Sequence, residues 1–289
     1  MKRREALWGY LMISPMVIGL GIFFYVALGA SLGISFTRWD LLTAPKWVGL
    51  DNYSYLLHDE VFRKTLKNTI KFTVLNVPLG MIVSLLLALA LNTHIRFRNV
   101  YRLIYFLPVL TMPVAISVVW KWLYNPDFGL LNQVLREFGV ERIRWLNDPH
   151  YAIWALIFMS IWMGSGYGMV IILAGLQNIP REYYEAAQMD GAGAVNRFFH
   201  ITLPLLTPTL FFILITSTIS SLQIFDIVYT MTKGGPLNST RTIVYTIYDD
   251  AFKFFRMGRA TASAWVLFVI ILGITIVQFR TQKRWVYYE

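Results

Sequence analysis

The chain has 289 residues, 56% hydrophobic and 16% aromatic, with only 15% charged and a formal net charge of +10. At a mean hydropathy of +0.53 a water-soluble domain could not hide its apolar surface, so the solvent is lipid and backbone hydrogen bonds must close within helices or a barrel. The absence of cysteine excludes disulfides and thiol-held metals, and the four histidines (His58, His94, His150, His200) lack metal-ligand spacing. The cations are scattered through loops and tails, which suits anionic headgroups and excludes a nucleic-acid stripe.

A spanning helix needs about 20 predominantly apolar residues. Six continuous, non-alternating runs meet that length, at about 8–36, 68–92, 102–124, 151–176, 205–230 and 260–279. The first follows Lys2-Arg3-Arg4 and contains a faintly cleavage-like Ala27-Leu28-Gly29. It runs well beyond the roughly 7–15 residues of a signal-peptide core, so it is read as a retained helix. Trp47–Leu57 and Phe128–Phe138 have helical apolar spacing, with aromatic residues suited to the headgroup zone, and are expected as short helices on the outer face. Pro15, Pro108 and Pro113 are expected to kink spans. No linker or low-complexity tract interrupts the chain, which predicts one membrane domain over residues 1–289 with its core at about 66–280.

An even number of spans puts both termini on one side. Lysine and arginine are more numerous in the long opposite-side segments, but those segments also hold most of the acidic residues. The rule weights short loops. The tight loop His94–Arg102 and both tails are net basic, which places the termini inside.

Between the fourth and fifth runs lies a polar stretch, about residues 178–204. Pro180 fits a first helical turn, where its missing N–H has no partner anyway. Arg181–Asp190 holds good helix formers, Gly191 offers a left-handed stop, and Ala192-Gly193-Ala194 keeps the turn slim. A second helix is expected over about 195–202, with Leu203-Pro204 opening the next span. Ala186 and Ala187 would let a partner's backbone approach, while Glu185 supplies one recognisable charge. A helix–break–helix in water does little for spanning lipid and much for docking.

Glu185-Ala186-Ala187, Gly191 and Ile201-x-Leu203-Pro204 fill every fixed position of the pattern EAA-x3-G-x9-I-x-L-P. The stretch therefore resembles the coupling loop of ABC importer permeases. Trp47-Val-Gly-Leu-Asp-Asn-Tyr53, Asn68-Thr69, Phe106-Leu107-Pro108, Phe128-Gly-Leu-Leu-Asn132 and Thr232-Lys-Gly-Gly-Pro236 extend the likeness over nearly the whole chain. It is similar to the maltose- and glycerol-phosphate-type sugar permeases, without the extra N-terminal helices and large extracellular insertion of some maltose-type subunits.

The resemblance implies an all-α permease fold of six transmembrane helices, with the coupling-helix loop on the cytoplasmic side between spans 4 and 5. It implies a multi-pass subunit of a bacterial or archaeal cytoplasmic membrane. Its partners would be a second permease subunit, two ATPase subunits and an extracytoplasmic solute-binding protein. Residues Glu185, Ala186, Ala187, Asp190, Gly191, Ala192 and Pro204 are the expected ATPase-docking set. The chain carries no G-x-x-x-x-G-K-[ST] loop, so no catalytic residue, cofactor or metal is expected in it; ATP and Mg would be bound by the partner ATPases.

Ionisable and polar groups deep in a membrane are functional candidates by default. Asp226 and Gln223 are three residues apart near Ser220 and Ser221 in the fifth run, so they share a helix face. Carboxylates and amides pair with sugar hydroxyls, and Trp162, Tyr167 and Tyr229 offer rings for sugar C–H faces. In the maltose-type relatives the pocket involves these spans, which favours Ser221 and Gln223. Interhelical glue or interfacial belt aromatics are the competing roles. Lys121, between Trp120 and Trp122, reads as a snorkelling side chain.

An ion-coupled carrier or a channel is the alternative. Gly166-Tyr167-Gly168 shares residues with a potassium filter but lacks the preceding Thr-Val and lies inside a continuous span. A carrier would often show internal repeats with paired broken helices, and none is evident. A membrane enzyme lacks support, because Gly164-Ser-Gly-Tyr-Gly168 is not G-x-S-x-G. The expected cargo is a sugar or oligosaccharide, with glycerol phosphates or polyols next.

Overall fold

A computed structural model describes residues 2–93 and 95–287. Among them, five helices are long and apolar enough to cross a membrane: Arg4–Ser35, Glu60–Asn92, Ala152–Asn178, Ala194–Leu222 and Met257–Gln282. A bent pair, Arg98–Leu110 and Pro113–Leu123, supplies the third of six spans when counted as one. The helical class and span order follow the sequence closely.

The differences lie where helices break. The third span, expected as one run over 102–124, turns by 101° between its halves. Met112 precedes Pro113 and is forced extended, at φ −62° and ψ 128°. Thr111 Oγ1 donates to the Leu107 carbonyl (3.1 Å), whose i+4 N–H the break diverts, and to the Pro108 carbonyl (3.0 Å), which also takes the Thr111 N–H at 3.3 Å. The fifth span starts earlier than expected and stops earlier too. The helix expected over 195–202 is continuous with the span, because a π turn over Phe198–Thr202 joins the two. Leu203 N–H reaches back to Phe198 O, and Pro204, which has no N–H to give, follows directly. At the other end the helix stops at Leu222.

Residues 1–60 with 246–268 form one compact unit, and 61–245 with 269–289 another. In the first, no described residue of the opening span before Ser35 is buried, as suits a helix whose solvent is lipid. Thr37–Arg38 pairs antiparallel with Lys46–Trp47. The expected helix over 47–57 forms at Asp51–His58, and its Asn52 Nδ2 donates to Ser35 O (2.8 Å) and Thr37 O (2.9 Å). Gly258 lies against the same loop so closely that a Cβ there would collide with the Thr37 carbonyl.

In the second unit, lipid gives helices no hydrophobic reason to associate, so close packing and polar ties must hold them. A Cβ on Gly166 would collide with the Tyr105 carbonyl, and one on Gly168 would strike Ser84. Ser84 Oγ donates to Ser165 O at 3.0 Å. Gly166 and Gly168 are thus close-packing positions inside a continuous helix. Met159, Met169 and Ile172 on the same helix are fully buried. Asn68 in the second span donates to Asn238 O (2.7 Å) and Arg241 O (3.1 Å), which fastens the segment after Thr232–Pro236. The helix expected over 128–138 forms at Leu130–Glu137. Its Asn132 donates to Pro126 O and Ile143 O and accepts from Ile143 N–H and the Trp145 indole.

Candidate functional site: a polar cavity and an exposed helical loop

A cavity of about 490 Å³ opens where the fifth span stops. Gln223 adopts φ −99° and ψ 14° after Leu222, and helical backbone resumes before the π turn at Val228–Thr232. Irregular backbone at membrane depth is tolerated where it is protein-buried or lines a wet cavity. Here Thr242 Oγ1 satisfies the freed Ile224 carbonyl at 3.1 Å, while Gln223, Ile224, Phe225 and Asp226 all line the cavity.

Of the six residues expected on a substrate path, Tyr167, Ser221, Gln223 and Asp226 come together on this wall. Gln223 and Asp226 share it although the helix they were expected to share breaks between them. Trp162 and Tyr229 do not line it. Trp162 packs edge-on against Trp120 with ring centroids 5.4 Å apart and lines a separate recess with Tyr105 and Phe158. Tyr229 stacks on Phe225 at 5.3 Å.

Sequence reasoning missed Asn76, Ser160, Thr216 and Ser217, which complete the polar lining. The signal for Asn76 was an amide inside the apolar run of the second span. Asn76 Oδ1 and Ser221 Oγ are buried and have no hydrogen-bond partner. A buried polar atom left unpaired costs about 1–3 kcal/mol, so these two atoms want a ligand group or water. Phe72, Met163 and Phe225 give the same cavity apolar faces. Hydroxyls, amides and one carboxylate beside rings suit a polyhydroxylated ligand.

The loop after the fourth span folds as a helix over Arg181–Met189. It ends as a Schellman turn: Gly191 is left-handed at φ +76°, Ala192 N–H bonds Ala187 O (2.8 Å) and Gly191 N–H bonds Gln188 O (3.0 Å). Glu185, Ala186, Asp190 and Gly191 are exposed, with Ala187 and Ala192 half-buried. The inward side is anchored, since Tyr184 packs against the apolar cluster containing Leu176, Ile179 and Leu206. Pro204 stands apart from the exposed surface, at the base of the fifth span.

The profile of the family described as "Binding-protein-dependent transport system inner membrane component" matches residues 76–285. A probable ABC transporter permease of Bacillus subtilis (strain 168), YesP, is 42% identical over 99% of this chain and 94% of its own length. The sulfoquinovosyl glycerol transport system permease SmoG of Agrobacterium fabrum (strain C58) is 36% identical over 96% of this chain and 90% of its own length. Among solved structures, a chain of a bacterial alginate ABC transporter in complex with alginate pentasaccharide-bound periplasmic protein superposes with a TM-score of 0.85. That chain is 26% identical, and the match covers 98% of this chain and 96% of the other.

Proposed function

The chain belongs to the family of binding-protein-dependent transport system inner membrane components, and from that membership we propose that it lines half of an ATP-driven import path for a sugar or oligosaccharide. As a multi-pass ABC transporter permease it works with other subunits. We assign those as a second permease, two ATPase subunits that bind ATP and Mg, and an extracytoplasmic solute-binding protein. Residues 1–289 act as one permease domain whose termini face the cytoplasm of a bacterium or archaeon.

The observation that carries the cargo assignment is the cavity at the fifth-span break, where Asn76 Oδ1 and Ser221 Oγ are buried without partners. Sugar hydroxyls supply both donors and acceptors to such atoms, and Gln223 and Asp226 extend the polar wall. The named cargoes of two similar proteins, sulfoquinovosyl glycerol and alginate, are both carbohydrate.

Glu185, Ala186, Ala187, Asp190, Gly191 and Ala192 form the ATPase-facing surface in this reading, and Pro204 holds the span beneath it. The short helix turns an ATPase's closure into movement of the fourth and fifth spans, because the Tyr184 hydroxyl bonds the Thr202 hydroxyl of the latter (2.9 Å) and the chain runs on from the former. A channel or ion-coupled carrier has no use for such an element. The test is sugar uptake into vesicles carrying the purified assembly, with ATP on the ATPase side and the binding protein on the other. Uptake that requires both supports the reading, and uptake that runs on an ion gradient without ATP contradicts it.

A further inference from the structure

Arg98 and Arg102 stand one turn apart at the start of the third span. With the Gln177 amide oriented by its donors, its oxygen accepts from Arg98 Nη2 at 2.6 Å and Arg102 Nη2 at 3.0 Å. Gln177 is the penultimate residue of the Ala152–Asn178 helix, so the exposed loop after that helix begins immediately beyond it. Two full positive charges therefore converge on one neutral oxygen.

No ion pair reaches either guanidinium among the described residues. Both Nε atoms are buried and lack a hydrogen-bond partner. The carbonyl end of the fourth-span helix contributes only about half a negative charge, which leaves more than one positive charge uncompensated. The segment from Thr93 to Arg102 contains no acidic residue, and Arg96 adds a third cation, over the Phe97 ring at 5.3 Å. An anion bound beside the two guanidiniums would balance this arrangement.

The surroundings identify the source. Phe97, Tyr101, Leu103 and Ile104 are exposed beside the arginines, so the site is bordered by apolar surface rather than by the polar rim a soluble protein's carboxylate would meet. Basic pockets between transmembrane helices are suited to lipid headgroups. We propose that Arg98 and Arg102 bind the phosphate of an anionic phospholipid in the leaflet on the side of the 178–204 loop. Gln177 holds the two guanidiniums in place, and the lipid then ties the third span to the end of the fourth.

The test is native mass spectrometry of the detergent-purified transporter, with whatever subunits accompany it, titrated with phosphatidylglycerol or phosphatidylcholine. At roughly fivefold in affinity per arginine near a charged headgroup, Arg98→Gln with Arg102→Gln should weaken phosphatidylglycerol binding about 25-fold and leave phosphatidylcholine unchanged. Arg98→Lys with Arg102→Lys should stay within a few-fold of the parent, and millimolar inorganic phosphate should not displace the lipid. If the double glutamine variant does not assemble, Arg98→Gln alone should show the fivefold loss. Unchanged phosphatidylglycerol binding, an equal loss for phosphatidylcholine, or displacement by free phosphate would each overturn the proposal.

Discussion

The hydroxyl of Tyr184 lies 2.9 Å from the hydroxyl of Thr202, which joins the exposed helix Arg181–Met189 to the base of the fifth span. Thr202 is itself buried and Tyr184 half-buried, so the bond is partly sheltered from competing water. The bond ties the exposed short helix to one end of the helix whose other end opens the polar cavity.

Removing that hydroxyl should loosen the link without disturbing the membrane core. Tyr184→Phe deletes one net hydrogen bond, about 1 kcal/mol, and keeps the ring in its apolar contact. ATP hydrolysis by the assembled transporter should continue while sugar moved per ATP falls. Equal sugar-to-ATP ratios in variant and parent would show that the bond transmits nothing.

Gly191 fixes where the short helix stops. A Cβ there meets no atom within 4 Å, so the penalty for Gly191→Ala is confined to the left-handed backbone, roughly 1–2 kcal/mol. That variant should insert normally and couple weakly. Gly191→Pro cannot adopt a positive φ at all and should abolish transport-coupled ATPase activity while leaving insertion intact. Full coupling in the proline variant would remove the docking role from this loop.

Asp226→Ala and Asn76→Leu probe the cavity. Each changes a wall group and leaves the helix packing around it in place, so uptake should drop about tenfold or more, the effect of roughly 1.4 kcal/mol in binding. Recovery of the assembled complex from membranes should be unchanged. Uptake kinetics identical to the parent would clear both residues of any part in the path.

Asn132 stabilises the fold rather than the path. Asn132→Leu removes four hydrogen bonds around the Pro126–Trp145 segment and leaves partners buried, which should cost about 3 kcal/mol. The thermal unfolding midpoint in detergent should fall by several degrees. An unaltered midpoint would mean that this segment is held by its apolar contacts alone.

The spans and the exposed loop were legible because composition reports the solvent and a Pro–helix–Gly–helix order reports water-facing backbone. The asparagines at 52, 68 and 132 were visible as parts of recurring phrases, but their work as loop fasteners was not, since each bonds carbonyls that only the folded chain brings near. Apolar content says that a helix faces lipid and not that it is continuous. For that reason the 101° turn before Pro113 and the stop at Leu222 were hidden in runs that read as single helices. The stop also changed what the cavity contains: it turned Gln223 and Asp226 onto one wall, in a cavity that Asn76 of the second span also lines, a gathering no periodicity encodes.

The measurement closest to the central claim is a pull-down of this chain, detergent-solubilised from its native membrane, followed by mass spectrometry of what accompanies it. A second six-span permease together with an ATPase is the predicted recovery, and Glu185→Arg in the exposed helix should lose the ATPase while keeping the second permease. Recovery of the chain alone or as a homotetramer, without any ATPase, would contradict the account and transfer its weight to a channel or carrier.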